Sequence, residues 1–156
     1  MSKLNLGDKA PKFKTLASDG STVSLDDFKG KKNVVLYFYP KDDTSGCTVE
    51  ACGFRDMSKD FVKKDAVVLG VSPDGLKSHQ KFVAKFDLSF LLLSDEDKKI
   101  CQDYGVWVEK SMYGRKYMGV ARTTFVINKD GKVAQIFESV KPQGHNQEVL
   151  EIVTGL

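Results

Sequence analysis

The sequence predicts an α/β fold, a three-layer sandwich on a mixed central sheet, and three features carry that prediction. The runs "NVVLYFYP" (33–40) and "AVVLGVS" (66–72) are rich in apolar and β-branched residues, the pattern of strands covered on both faces. Between them lies a stretch of helical periodicity, which gives the order of a parallel βαβ unit. Further on, "TTFVINKDGKVAQIF" sets the turn signal "KDG" between two alternating runs, as in an antiparallel hairpin.

Taken in order, the elements begin with an extended segment near Lys12–Ala17 and a turn at "SDGS". A short helix around Leu25–Phe28 follows, closed by Gly30. The first buried strand stops at Pro40, which cannot donate to a ladder. From about Ser45 to Lys64 the residues Val49, Cys52, Phe54, Met57, Phe61 and Val62 recur near helical spacing. "DGLKSHQKFVAKF" carries a helix-start signal and an amphipathic period, "FLLLS" is a third short strand, and "DEDKKICQDYG" is a helix closed by Gly105. After the hairpin, residues His145 to Val153 are helical in spacing. This order, β-α-β-α-β-α with a hairpin and a terminal helix, is similar to the thioredoxin-like architecture. No repeat, low-complexity tract or linker interrupts it, so residues 1–156 are expected to form one domain.

Composition narrows the function. The net charge of +3 is small and its Lys and Asp/Glu residues are well mixed, so no nucleic-acid surface is expected. The start, "MSKLNLGDKAPKF", lacks the apolar core of roughly 7–15 residues that a signal peptide needs, and no apolar run reaches membrane-spanning length. The expected location is the cytoplasm, where ordinary thiols are kept reduced. A cysteine pair there is catalytic or metal-binding rather than a structural staple. Cys47 and Cys52 form such a pair, but C-x4-C without a second pair does not suit zinc, and His79 and His145 have no ligand spacing to it.

Cys47 falls just past the expected helix start, near unpaired backbone N–H groups and the positive end of the helix dipole, both of which favour a thiolate. Cys52 lies further along, where that field has faded, so position nominates Cys47 as nucleophile and Cys52 as its partner. Helical positions five apart have Cα atoms roughly 8–9 Å apart and point about 140° away from each other. A disulfide needs Cα atoms within about 7 Å, so bonding the two requires unwinding at least a turn. Gly53 weakens the helix there, or is small because something packs on it; both readings stand. Thr44, three residues before Cys47, is placed to cap the helix or to face the sulfur's pocket, and Pro40 presents an apolar wall. A cation must hold the thiolate, and Lys41, Arg55 and Arg122 are the candidates, with an Arg preferred for its two-pronged fork.

These residues carry a resemblance. "PKDDTSGCT" followed by "EACGFRD" resembles the peroxiredoxins, whose active-site pattern Pro-x-x-x-Thr/Ser-x-x-Cys is met by Pro40, Thr44 and Cys47. Cys52, "YGVW", "YMGVARTTFVI" and "KPQGH" are similar to the peroxiredoxin Q, or bacterioferritin comigratory protein, branch, and the likeness runs from about Lys3 to the C-terminus. The resemblance implies a thiol-dependent peroxidase. Cys47 would attack a hydroperoxide and become a sulfenic acid, with Thr44 and Arg122 holding the peroxide oxygens. Cys52 would then form an intrachain disulfide with it, and thioredoxin or a similar dithiol would reduce that bond. No metal, flavin or haem is implied, and resolution within one chain implies a monomer. Ser45 departs from the branch, which commonly has Pro there; a serine can instead cap the helix.

Two other classes compete: a dithiol–disulfide carrier, which would ordinarily hold C-x-x-C, and a redox-switched binding protein that captures a partner once oxidised. Rapid peroxide loss with thioredoxin separates the peroxidase from both. Cys101 is expected to be a core thiol, Glu50 to lie on a solvated helix face, and Trp107, Tyr113 and Tyr117 to pack in the core or a loop, or to line the peroxide's approach.

Overall fold

A computed structural model describes residues 4–156. Strand β1 (Lys14–Leu16) pairs antiparallel with β2 (Thr22–Ser24), and the Leu25–Phe28 turn of 3-10 helix follows. Its start is locally encoded: the Ser24 N–H donates to the Asp27 carboxylate at 3.0 Å, and the Ser24 hydroxyl accepts from the Asp26 N–H at 3.3 Å.

The central sheet contains β3 (Asn33–Phe38), β4 (Ala66–Ser72), β5 (Leu91–Ser94), β8 (Thr123–Ile127) and β9 (Val133–Phe137), in the order β5-β4-β3-β8-β9. β3, β4 and β5 run parallel, whereas β8 pairs antiparallel with both β3 and β9, so the sheet is mixed as expected. Every residue of β3 is buried. Its side chains alternate between two cores, with Val34, Leu36 and Phe38 on one face and Val35 and Tyr37 on the other. Helices α1 (Ser45–Asp56), α2 (Ser58–Lys63), α3 (Leu76–Phe86) and α5 (His145–Thr154) cover the second face through Ala51, Phe54, Phe61, Phe82 and Val149. Helix α4 (Lys99–Asp103) and the N-terminal segment cover the first, through Ile100, Cys101, Phe13 and Leu25. The result is the three-layer, thioredoxin-like sandwich.

Two local expectations change. The stretch from Ser45 to Lys64 is two helices, broken at Met57, whose N–H closes back onto the Phe54 carbonyl. The stripe that α1 buries is Cys47, Glu50, Ala51 and Phe54, and Val49 is exposed. The second change is a hairpin absent from the reading, β6 (Trp107–Met112) with β7 (Arg115–Val120), joined by Tyr113 and Gly114. Both turn residues have positive φ, 52° and 76°, as the tight turn of a right-twisted hairpin requires. Tyr113 is 98% exposed, so it packs in no core, whereas Trp107 is half-buried against one. Among the described residues no helix is long and apolar enough to cross a membrane.

Candidate active site

β3 runs out at Phe38 beneath the sheet's helical face, Tyr39 stays buried, and Pro40 opens the loop that leads into α1. A parallel connection of this kind delivers a helix N-terminus at the carboxyl end of the strand. Cys47 lies in the first turn of α1 and is 1% exposed. The antiparallel register of β8 brings the other half of the site: Thr123 pairs with Phe38, so Arg122, one residue earlier, sits beside the start of the loop. The backbone of Arg122 is fixed too, since its carbonyl accepts from the Val140 N–H at 3.1 Å.

The guanidinium of Arg122 is forked between two groups of α1. Nη2 donates to Cys47 Sγ at 3.1 Å and Nη1 donates to Glu50 Oε1 at 2.8 Å. Gly46 makes room for it, since a Cβ there would lie 3.3 Å from Nη2 and 3.5 Å from Cγ of Pro142, within "KPQGH". The other two cations are elsewhere. Lys41 is exposed, and Arg55 donates to the Phe86 carbonyl at 2.7 Å and to Asp56, with its charge reaching Cys52.

Glu50 corrects an expectation. It is 1% exposed and paired with Arg122, not spread on a solvated face. Its spacing of three from Cys47 and four from Phe54 puts it on the buried stripe, a signal present in the sequence. Burial pushes its carboxyl up to about 7 against the opposing pull of Arg122, and its Oε2 has no hydrogen-bond partner among the described residues. Nearby, the buried Tyr37 hydroxyl also lacks a partner; burial first, then Glu50 and Cys47, push its phenol well above its ordinary range.

Thr44 precedes the helix as its N-cap residue, but its hydroxyl donates to the Lys41 carbonyl at 3.0 Å and makes no side-chain cap. Cys52 is half-buried on α1, and all three cysteines are free thiols. The open question about Gly53 is met by packing: a Cβ would lie 3.2 Å from the Asn146 side chain, and Asn146 Nδ2 donates to the Gly53 carbonyl at 3.0 Å. Cys101 is fully buried in the opposite core, and burial, then a hydrogen bond to Asp95, push its thiol up. On the rim, the half-buried stem of Lys110 lies over Gly119 beside Tyr117. Burial, then Arg122, lower its ammonium against the pull of Cys47, so the β6–β7 hairpin carries a second cation toward the site.

The arrangement therefore offers an enclosed sulfur with a guanidinium on it, and a second thiol on the same helix. Comparison with known proteins gives the family. The AhpC/TSA family pattern matches residues 6–136. Peroxiredoxin Bcp of Bacillus subtilis (strain 168) is 46% identical over 148 residues, covering 95% of this chain and 94% of the relative. Peroxiredoxin Bcp of Escherichia coli (strain K12) is 45% identical over 150 residues, covering 96% of each. Among solved structures, a PrxQ mutant from Xylella fastidiosa superposes with a TM-score of 0.93 at 35% identity, covering 99% of this chain and 98% of that one. The bacterioferritin comigratory protein of Xanthomonas campestris, described for its alkyl peroxide reduction activity, gives a TM-score of 0.87 at 38% identity, covering 92% and 90%. The chain belongs to the AhpC/TSA family, in its peroxiredoxin Q / bacterioferritin comigratory protein branch.

Proposed function

We propose that this chain is a thiol peroxidase in which Cys47 is the attacking thiol and Cys52 resolves it. The contact of Arg122 Nη2 with Cys47 Sγ at 3.1 Å carries the reading, because it sets a fixed positive charge against the sulfur that is to attack. The thiolate attacks the terminal oxygen of a hydroperoxide. The O–O bond breaks, Cys47 becomes a sulfenic acid, and the leaving alkoxide or hydroxide takes a proton to depart as alcohol or water. Arg122, whose charge is fixed, stabilises the charge that develops on those oxygens, joined by the Thr44 hydroxyl once its hydrogen turns from the Lys41 carbonyl, and Pro40 walls the site. Glu50, with a carboxyl near pKa 7, takes up a proton easily when the thiolate claims the shared guanidinium.

The second half-reaction needs motion. Cys47 and Cys52 lie on one continuous helix, so α1 must unwind before the Cys52 thiolate can attack the sulfenic sulfur. That attack forms the Cys47–Cys52 disulfide and expels water. Two thiols of a thioredoxin-like dithiol then return both sulfurs to the reduced state by exchange, taking the disulfide themselves. Both thiols belong to one chain, so the cycle runs in a monomer.

Stopped-flow peroxide consumption coupled to thioredoxin tests the reading. Cys47→Ser should abolish consumption. Cys52→Ser should perform one turnover and stop with Cys47 oxidised; steady cycling of that variant would refute its role as resolving thiol. Mass spectrometry without reductant should find Cys47 joined to Cys52, and a crosslink to Cys101 would reverse the assignment. Turnover on protein disulfides alone, with peroxide untouched, would identify a carrier instead.

A further inference from the structure

The loop between β3 and α1 is fastened from beneath by side chains that the proposed chemistry does not use. Asp42, two residues after Pro40 and five before Cys47, is buried. Its Oδ1 accepts from the Tyr39 hydroxyl at 2.5 Å, and its Oδ2 accepts from the Ser78 hydroxyl at 2.8 Å and faces His79 Nδ1 at 2.7 Å. Its backbone N–H donates to Asp74 Oδ2 at 2.8 Å, and Asp74 is held in turn by the Ser72 hydroxyl at 2.8 Å. His79 is 0% exposed, and its Nε2 lies 3.0 Å from the Leu93 carbonyl. One loop residue is thereby tied to β4, to β5 through the histidine, and to the first turn of α3.

The protonation of His79 follows from its neighbours. A carbonyl oxygen only accepts, so Nε2 carries a hydrogen. An ionised Asp42 also only accepts, and a bare Nδ1 would set a lone pair against it at 2.7 Å in a buried place. One hydrogen must then lie between Nδ1 and Oδ2, and because Asp42 already accepts from the Tyr39 and Ser78 hydroxyls the ring is its better seat, an imidazolium on a carboxylate. The same bonds leave the ring no lone pair for a metal, although ligand atoms of Asp42, Asp74 and His79 lie within 4.8 Å of one another.

The loop above needs such a hold. Asp43 has φ 58°, a left-handed conformation costly for a non-glycine residue unless its surroundings impose it. An exposed ion pair also reaches this residue from α3, Lys85 Nζ to Asp43 Oδ2 at 2.8 Å, and adds little to the hold. Thr44 comes next, its hydroxyl bonded to the Lys41 carbonyl and its own carbonyl accepting from the Thr48 N–H at 2.8 Å.

We infer that His79 is a positioning residue for peroxide attack: as an imidazolium it clamps Asp42, and so holds residues 41–44 in the shape that sets Thr44 and the first turn of α1 around Cys47. The inference deepens the function proposed above and rests on Cys47 being the attacking thiol.

The test joins a spectroscopic signature to a rate. In the reduced, ¹⁵N-labelled full chain, both ring nitrogens of His79 should give the signals of protonated nitrogen. In Asp42→Asn the new amide donates to Nδ1, so His79 becomes neutral and one of those signals should shift to that of an unprotonated nitrogen. Single-turnover peroxide attack should fall about tenfold or more in His79→Phe, because sub-ångström misplacement of reacting groups is expensive. It should fall less, about threefold, in Asp42→Asn, where each group keeps a partner but the pair loses its charges. His79→Gln, which retains a donor, supplies the same comparison if the phenylalanine variant does not fold. An unprotonated Nδ1 in the parent, or an undiminished rate in Asp42→Asn, would overturn the charged clamp, and an undiminished rate in His79→Phe would overturn the positioning role. A parent protein inert to peroxide would sink the function and this role together, while the ring signals would still decide the clamp.

Discussion

At the scale of single residues, the site is a competition for one guanidinium. Arg122 bonds Cys47 through Nη2 and Glu50 through Nη1, and a thiolate and a carboxylate together would outnumber its single charge. Arg122→Lys keeps a positive charge but offers a point in place of a fork, so it cannot serve both groups. Peroxide attack measured by stopped-flow should fall about tenfold to a hundredfold in that variant, and an unchanged rate would remove Arg122 from the reaction. For Glu50 the sign of the pH effect is set by burial. Its carboxyl rises from 4.5 to about 7 in the fold, so between those values the folded protein holds a proton that the unfolded chain has lost. Stability from this group is therefore full below about pH 4.5 and is lost as pH climbs to about 7. Glu50→Gln is spared the loss, and its stability relative to the parent should improve by on the order of 2 kcal/mol between about pH 5 and pH 8 in urea unfolding. A constant difference would mean that Glu50 is ionised throughout. The place of Cys47 in the first turn of α1 was legible because the signals of strand end, loop and helix start are local. Glu50 was misread because a lone acid on a helix ordinarily faces water, and only its register with Cys47 and Phe54 says otherwise.

At the scale of elements, α1 is a helix with a hold at each end. Before Cys47 the loop is pinned through Asp42, and after Cys52 the Asn146 side chain of α5 is bonded to the Gly53 carbonyl. Helix α5 is itself seated by His145, whose Nε2 meets the Thr124 hydroxyl of β8 at 2.7 Å and whose Nδ1 meets Glu148 at 2.5 Å. Asn146→Ala removes the second hold, worth about 1 kcal/mol, and should speed disulfide formation up to about fivefold. Rapid-quench alkylation can follow that step, and peroxide attack should be unaffected. A resolution rate equal to the parent's would show that α1 opens at its other end. The strands of the central sheet were legible because burial on both faces leaves unbroken apolar runs. The β6–β7 hairpin was not: residues 111–118 are all exposed, so no alternation marks it, and its turn uses a tyrosine at positive φ where Asn or Asp is usual.

At the scale of the whole molecule, the proposed cycle implies two redox forms that differ in how much core they keep. The Cys47–Cys52 bond closes a very short loop and so constrains the unfolded chain little. Forming it unwinds a helix whose Cys47 and Ala51 are fully packed in the core. The disulfide should therefore lower stability here. Calorimetry of peroxide-treated protein should give a melting temperature several degrees below that of the dithiol, a difference of about 1–3 kcal/mol, and a higher value would mean that α1 survives oxidation. The layered architecture was readable from the order of elements. The meeting of Arg122 with Cys47 was not readable from spacing, because only the antiparallel register of β8 on β3 creates it.

That register has a consequence during synthesis. Arg122 lies 75 positions after Cys47, and β8 can insert beside β3 only once it has left the ribosome. Until then the growing polypeptide carries its sulfur without the counter-ion. On the proposed chemistry, a chain that has not yet placed β8 would lack the cation that Cys47 uses against peroxide.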